Sequence, residues 1–375
     1  APATIVTQAN HVTIHGAVLN GFTQRSGTGT STFHGPVSGL GLDVSSQNLI
    51  FEGAIDVAGA VNLVAAQSIQ TRNIRALGQS VNLTARNSLT VGSINTQGGS
   101  GTGDISLTSN EIDLVGGIGS VRGNGSLRLQ PFDADQAIRV GAIKNTRGLD
   151  LTITDWLALA NGFSDIQVGR DNGSGNITIA PIPLTDPTHF STPTGRITLT
   201  GGLSLQDNAS ASFASAQTPT TQLTADISTA DPLTFFGNIR LEDDIQITAT
   251  GNNTLTFAGT VNGAHQLAVN ATNSTVFFQG PIGNETPLRA LSITAQNTFF
   301  ADKVTTRGDV TLNGTITLTN RAEIVARSGA ITATGTLIGQ NSPVLLTADD
   351  NITLADIFSD SGITLRSDAV ITANH

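Results

Sequence analysis

The stretch VNLTARNSLTVGSI, residues 81–94, decides how this chain folds. Apolar and small polar residues alternate from Val81 to Ala85, a polar corner follows, and the alternation resumes at Leu89 and Val91. Such alternation is the signal of a β-strand with one buried face. Asn and Ser tolerate the tight turns that a corner between short strands requires. The stretch therefore predicts two short strands joined by a polar corner.

Copies of this pattern recur along the chain. Counted at the second apolar residue of each copy, the first series lies at Leu63, Leu83, Leu107, Leu129, Leu151, Ile179 and Leu199. Most of its steps are roughly 20 to 24 residues long, a period typical of solenoids. Such a step is too long for one hairpin strand, and it fits one coil of a solenoid built from two or three short strands.

A parallel β-solenoid competes with a β-sandwich of hairpins. A sandwich would show turn signals every 8–12 residues or so and more aromatic pairs across its strands. The chain has no Tyr and one Trp, and no apolar stripe of helical period persists. The predicted fold class is therefore all-β, a parallel β-helix with roughly 20–24 residues per coil.

The composition excludes several classes of function. The 375 residues include no Cys and no Met, so disulfide frameworks, thiolate metal sites and cysteine nucleophiles are excluded, and we expect a processed chain or an excised piece. The net charge is −10, and only Lys144 and Lys303 are lysines, which argues against nucleic acid as a partner. No apolar run reaches the roughly 18 residues of a membrane span.

The order apolar–Asn/Ser/Thr–apolar–Thr–Ala, then a polar corner, then SLTVGSI at residues 88–94, resembles filamentous haemagglutinin-type repeats. Those repeats occur in large secreted bacterial adhesins and similar surface proteins. The resemblance covers residues 50–375, and it implies a right-handed β-helix displayed outside the cell, at the bacterial surface. The amino-terminal secretion domain of that family carries Asn-Pro-Asn motifs, whereas this sequence has no Asn-Pro dipeptide.

Two irregular stretches suggest a domain organisation. Residues 1–50 are predicted to be an N-terminal cap or packing element, followed by solenoid repeats over 51–180. Residues 181–222 contain five of the twelve prolines, and proline cannot donate to a strand ladder, so a loop or junction is predicted there. Solenoid repeats then continue over 223–375, and the strand pattern persists to the last residues.

The carboxyl-terminal stretch shows no capping repeat, so its apolar strand residues are candidates for stacking between subunits. These candidates are Ile363, Leu365, Val370 and Ile371. An exposed rung of a solenoid can pair with a strand of another molecule. We therefore expect end-to-end self-association into an extracellular filament.

Residues that could carry chemistry are sparse. The carboxylates predicted at the corners include Asp133, Asp135, Asp243 and Asp244. No His or Lys recurs near them at coil spacing, so we predict no catalytic residues. Asp104, in a glycine-rich segment, is a candidate ligand for calcium together with Asp133 and Asp135, and no other cofactor is predicted.

Three functions remain in competition. The leading hypothesis is a secreted, non-enzymatic structural or adhesive surface protein. The first alternative is a β-helix enzyme that acts on polysaccharides, and it needs three or more carboxylates converging in one groove. The second is an adhesin that binds a surface glycan through Asn, Asp and Phe. Twin Phe residues occur at 235–236, 277–278 and 299–300. We expect one Phe of each pair in the interior of the coil and one at an edge.

Overall fold

The computed structural model describes residues 3–6, 11–15, 17–18, 22–25, 28–144, 148–207, 209–215 and 221–373. Parallel strands stack as a β-solenoid of about 16 turns with essentially no helix, which confirms the predicted all-β fold. The chain divides into a first unit, Ala1–Ile177 with Thr185–Pro193, and a second unit, Thr178–Leu184 with Thr194–His375.

The strands of the first unit are short, and they are joined by polar corners. Their bounds are Ala3–Val6, Val12–Ile14, Ala17–Val18, Phe22–Arg25, Thr30–Phe33, Val37–Gly39, Leu42–Phe51, Ile55–Val57, Val61–Arg75, Val81–Ala85, Ser88–Asn95, Ile105–Thr108, Ile112–Leu114, Val121–Arg122, Ser126–Gln130, Ile138–Val140, Leu149–Leu151, Asp165–Gly169 and Thr188–Thr192. One helix, Ile153–Leu157, lies among its described residues. The strand Ile177–Ile179 falls at the division between the units.

The second unit has the same organisation, without a helix in its described residues. Its strands are Ile182–Leu184, Ile197–Leu199, Leu203–Leu205, Ala211–Ser215, Thr221–Leu223, Ile227–Thr229, Leu233–Phe235, Ile239–Leu241, Ile245–Ala249, Thr254–Phe257, Val261–Asn262, Gln266–Phe278, Ala290–Phe300, Val304–Thr306, Val310–Leu318, Glu323–Ala326, Ile331–Gly339, Val344–Ala348, Ile352–Ser359, Ile363–Ser367 and Ile371–Ala373.

Successive coils stack in register, so residues of one kind form columns. Val81 pairs with Val61 of the preceding coil and with Ile105 of the following one, and all three side chains are buried. The exposed Asn82 lies beside Asn62. Both steps along the chain agree with the predicted coil length. The alternation thus sends one column into the core and the next to solvent.

One prediction from the repeat spacing is wrong. The spacing predicts that Leu151 lies beside Leu129 on the next coil. Instead Leu129 pairs with Val168, and Leu151 pairs with Val140. The apolar–polar alternation is the same on every face of a coil, so the spacing alone cannot show which face a strand occupies. Leu151 therefore belongs to an insertion between two coils.

The core of the second unit contains a column of phenylalanines. Phe213, Phe235, Phe257, Phe278 and Phe300 are all buried and lie on successive coils. Their ring centroids are 5.0, 5.6, 4.6 and 5.3 Å apart, and the rings are nearly parallel. Each such pair contributes about 0.5–1.5 kcal/mol beyond the burial of its area.

The predicted domain boundaries do not coincide with breaks in the ladder. Residue 50 lies inside the strand Leu42–Phe51, which pairs in parallel with Val61–Arg75. The stretch predicted as a loop or junction, 181–222, carries strands of the ladder. Pro181 and Pro187 lie just before strands, where a ladder needs no donor, whereas Pro183 lies inside the strand Ile182–Leu184 and pairs with Ser204.

Candidate functional site

The calcium candidate Asp104 is occupied by hydrogen bonds within the protein. Its Oδ1 accepts a bond from the backbone N–H of Ser126 at 2.9 Å, and its Oδ2 accepts one from the hydroxyl of Thr102 at 3.0 Å. A carboxylate that accepts such bonds from neighbouring backbone stabilises a turn. Asp104 therefore holds the corner between two coils in this arrangement.

Asp133 and Asp135, the other calcium candidates, do not converge on one site. Asp133 and Asn110 exchange two hydrogen bonds, and Arg86 lies 3.4 Å from the Asp133 carboxylate. Asp135 is exposed. Over the described part of the chain, no group of three or more His, Asp or Glu residues is placed to hold a metal ion. Calcium binding stays a prediction.

Two of the acidic residues at 242–244, Glu242 and Asp244, have different partners. Asp244 accepts a hydrogen bond from the backbone N–H of Gln266 at 2.9 Å, and this bond, followed by the neighbouring Arg289, lowers the pKa of Asp244. Glu242 pairs instead with Arg240 at 2.9 Å. The two carboxylates are thus held by different partners, and the expected absence of catalytic residues stays a prediction.

Of the stacking candidates, three lie at inward positions of the last described coil. Ile363 and Leu365 pair with Val344 and Leu346, and Ile371 pairs with Ile352. Those three partners are fully buried, whereas Ile363 and Ile371 are exposed and Leu365 is half-buried. The fourth candidate, Val370, is also exposed but lies at the corner just before Ile371. Together they form an apolar rung that no described strand covers.

The twin phenylalanines divide as expected between interior and edge. Phe235, Phe278 and Phe300 are buried, while Phe236 is exposed. Phe277 and Phe299, the outward members of their pairs, stack on each other with centroids 4.9 Å apart.

In the strand register this column continues through the buried Thr317 and the half-buried Ile338 to the exposed Phe358. The sequence indicates this column, because on two coils a Phe directly precedes an inward Phe. Only the strand register shows that the rings of Phe277 and Phe299 contact each other.

Two histidines near the start of the described residues lie on neighbouring coils. The ring of His15 stacks on that of His34, with centroids 4.7 Å apart. His34 Nδ1 lies 2.6 Å from a carboxylate oxygen of Glu52, one coil further on. The three side chains form a short ladder, and sequence spacing gave no sign of it.

Sequence reasoning also missed an ionic cluster around Lys144. Its Nζ lies 2.7 Å from Glu111 Oε1 and 2.5 Å from Asp113 Oδ1. Burial raises the pKa of Glu111 and outweighs the lowering effect of the ammonium group. Burial lowers the pKa of Lys144, but hydrogen bonds to both carboxylates outweigh this, and the net shift is upward. The cluster holds a charged lysine between two carboxylates that lie far from it along the chain.

No helix among the described residues is long and apolar enough to cross a membrane. Comparison of the chain with protein-family models, with curated proteins and with solved structures finds no match. The β-helix repeat architecture is therefore shown by the structure alone, and no comparison assigns the chain to a family or a function.

Proposed function

We propose that this chain is a non-enzymatic structural or adhesive protein of the bacterial cell surface, of the filamentous haemagglutinin type. The observation that carries the proposal is the parallel β-solenoid of about 16 turns. A β-solenoid fits such a role, because stacked repeats present extended surfaces that can bind or support other molecules. The columns of uncharged polar residues, such as Asn62 beside Asn82, supply a hydrated outer face.

Labelling of intact cells tests the location and the role together. In the organism that makes the protein, an antibody against the folded chain should label unpermeabilised cells, and deletion of the gene should reduce adhesion or surface assembly. Restoring the gene is the control. Labelling that appears only after permeabilisation would overturn the proposed location, and unchanged adhesion and surface structure after deletion would overturn the role.

The competing enzymatic function predicts release of sugar from polysaccharides. We expect incubation of the purified chain with a panel of bacterial and plant polysaccharides to generate no new reducing ends and no unsaturated sugars. The separate engagement of Asp244 and Glu242 supports this expectation. Product formation that disappears in Asp244→Asn or Asp133→Asn would establish the enzyme in place of the structural protein.

Self-association end to end is part of the proposal, and the exposed apolar rung supports it. The double variant Ile363→Asp with Ile371→Asp places charge where a covering strand would pack, so it should abolish concentration-dependent assembly in sedimentation velocity. Phe236→Asp, at another exposed apolar position of the second unit, is the matched control and should assemble normally. Sedimentation of the wild-type chain as a monomer at all concentrations would refute this part.

A glycan-binding adhesin is the second candidate, favoured by the outward column from Phe277 to Phe358. Because the rings of Phe277 and Phe299 cover each other's faces, Phe358 offers the more accessible ring for stacking on a sugar. We expect Phe358→Ala to weaken binding on a glycan array, while Phe236→Ala leaves it unchanged. Absence of any bound glycan for the wild-type chain would remove this candidate.

A further inference from the structure

One coil of the first unit departs from the regular spacing. Leu127 pairs with Ile166, a step along the chain that is much longer than the one from Leu107 to its partner Leu129. The strand Ile138–Val140 belongs to the regular coil, because the backbone N–H of Ile138 donates to the carbonyl of Asn176 at 2.9 Å. The additional residues form the short strand Leu149–Leu151 and the helix Ile153–Leu157. Insertions into single repeats of a solenoid map to loops on one face, which is often the binding face.

The insertion is held firmly against the preceding coil. The carboxylate of Asp155 accepts a hydrogen bond from the backbone N–H of Leu114 at 2.7 Å. The backbone N–H of Gly119 donates to the carbonyl of Leu157 at 3.0 Å. Thr152 caps the helix, with the hydroxyl of Thr152 and the carboxylate of Asp155 bonding each other's backbone N–H groups. These contacts fix the helix in place.

A cavity of about 460 Å³ lies between the insertion and that coil, with Leu114 at its base. Its apolar rim is largely open to solvent, since Val115 is 65% exposed and Ile143 is 92% exposed, while Ile118 beside it is 84% exposed. Three of the eight large hydrophobic side chains exposed in the described first unit line this cavity, namely Val115, Ile143 and Ile153, and Ile118 and Leu157 lie close to lining residues along the chain. Such a patch of exposed apolar side chains marks an interaction surface.

The polar edge of the same patch carries net negative charge. Lys144 lines the cavity together with Asp113, and it is paired with both Asp113 and Glu111. Two carboxylates outweigh one ammonium group, and the carboxylate of Asp155 at the cavity wall adds to the negative potential. A cationic group is attracted to such an edge, whereas an anionic group is repelled.

We propose that this patch binds a segment of a partner protein in which aliphatic side chains alternate with lysine or arginine. An aliphatic side chain enters the cavity between Val115, Ile143 and Ile153, and the neighbouring basic group reaches the carboxylate of Asp113 at the cavity edge. This inference goes beyond the structural role proposed above, and it does not depend on end-to-end assembly or on glycan binding.

The only tryptophan of the sequence, Trp156, lies in the inserted helix and provides a reporter at the site. Two short tryptophan-free peptides serve as probes, one alternating Leu with Lys and the other alternating Leu with Glu. Titrated into the full chain, the Lys peptide should produce a saturable change in Trp156 fluorescence. The Glu peptide should produce none at the same concentrations.

Two pairs of variants assign the binding to the patch. Ile143→Ser and Asp113→Asn should each weaken binding of the Lys peptide about fivefold or more, the loss typical of a contributing interface side chain. Leu40→Ser and Asp135→Asn, exposed residues of the same unit, are the matched controls and should bind as the wild type does. Unchanged far-UV circular dichroism establishes that each variant folds.

Three results would overturn the inference. The first is a wild-type chain whose Trp156 fluorescence does not respond to the Lys peptide. The second is equal binding of the Lys and Glu peptides, which would show that the charge of the patch does not select its partner. The third is a loss in the control variants as large as that in Ile143→Ser. None of these results bears on surface location or assembly, so the structural proposal is tested separately.

Discussion

At the scale of single residues, Asp155 is the side chain on which the insertion depends most. It is buried, and its carboxylate accepts bonds from the backbone N–H groups of Leu114 at 2.7 Å and Thr152 at 2.9 Å. Asp155→Ala would leave both donors without this acceptor, so we expect a loss of about 2 kcal/mol or more in the free energy of unfolding. Urea denaturation followed by Trp156 fluorescence measures this loss.

The control for this prediction is Asp135→Ala, at an exposed position of the same unit. It should change the free energy of unfolding by no more than about 0.5 kcal/mol. Equal midpoints for the two variants would mean that the bonds of Asp155 do not hold the insertion.

A second residue-scale prediction concerns the titration of Asp244. Its pKa is lowered mainly by the hydrogen bond from the backbone of Gln266 and further by Arg289. Because the folded-state pKa is depressed, its stabilising contribution is present above the ordinary Asp pKa and is lost as the pH falls through the folded-state pKa. Arg289→Gln should raise the pKa of Asp244 only part of the way to its ordinary value, since the backbone bond remains.

Carboxyl-carbon NMR titration measures that pKa directly. Arg240→Gln, which removes the partner of Glu242, should leave the titration of Asp244 unchanged. A titration of Asp244 that is the same in Arg289→Gln and in the wild type would contradict the prediction.

At the scale of elements, the phenylalanine column ties neighbouring strands together. Phe257 lies between Phe235 and Phe278, with ring centroids 5.6 and 4.6 Å away. Phe257→Ala removes a fully buried side chain and two ring contacts, so we expect a loss of about 3–5 kcal/mol in the free energy of unfolding. Urea denaturation followed by far-UV circular dichroism measures it.

Phe236→Ala provides the comparison, because Phe236 directly follows an inward Phe but is exposed. We expect its effect to stay within about 0.5 kcal/mol. Similar losses in both variants would show that the interior stack contributes no more than an exposed ring at a corner.

At the scale of the whole molecule, solenoid stability is a sum of terms between neighbouring coils. Trp156 reports on the first unit, whereas Phe257 belongs to the second. Phe257→Ala should therefore shift unfolding as seen by far-UV circular dichroism, while the transition seen by Trp156 fluorescence keeps its midpoint. An equal shift of both transitions would show that the chain unfolds as one cooperative body.

The sequence predicts the strands more fully than it predicts the candidate binding surfaces. The exposed rung with Ile363 and Ile371 was predicted, because strand alternation continues to that point. The cavity beside Ile143 was not, because it depends on an insertion whose strand Leu149–Leu151 has the same pattern as a regular coil strand. Local pattern shows that a strand forms but not which neighbour it pairs with.

The sequence by itself determined that the chain forms short strands, which side chains face inward, and that the strands stack as parallel coils. These follow from alternation and coil spacing, which are properties of neighbouring residues along the chain. Only the tertiary structure decided that Leu151 pairs with Val140, that Lys144 meets Glu111 and Asp113, and that Phe277 stacks on Phe299. Contacts between coils depend on the number of residues at each corner, and that number varies from coil to coil.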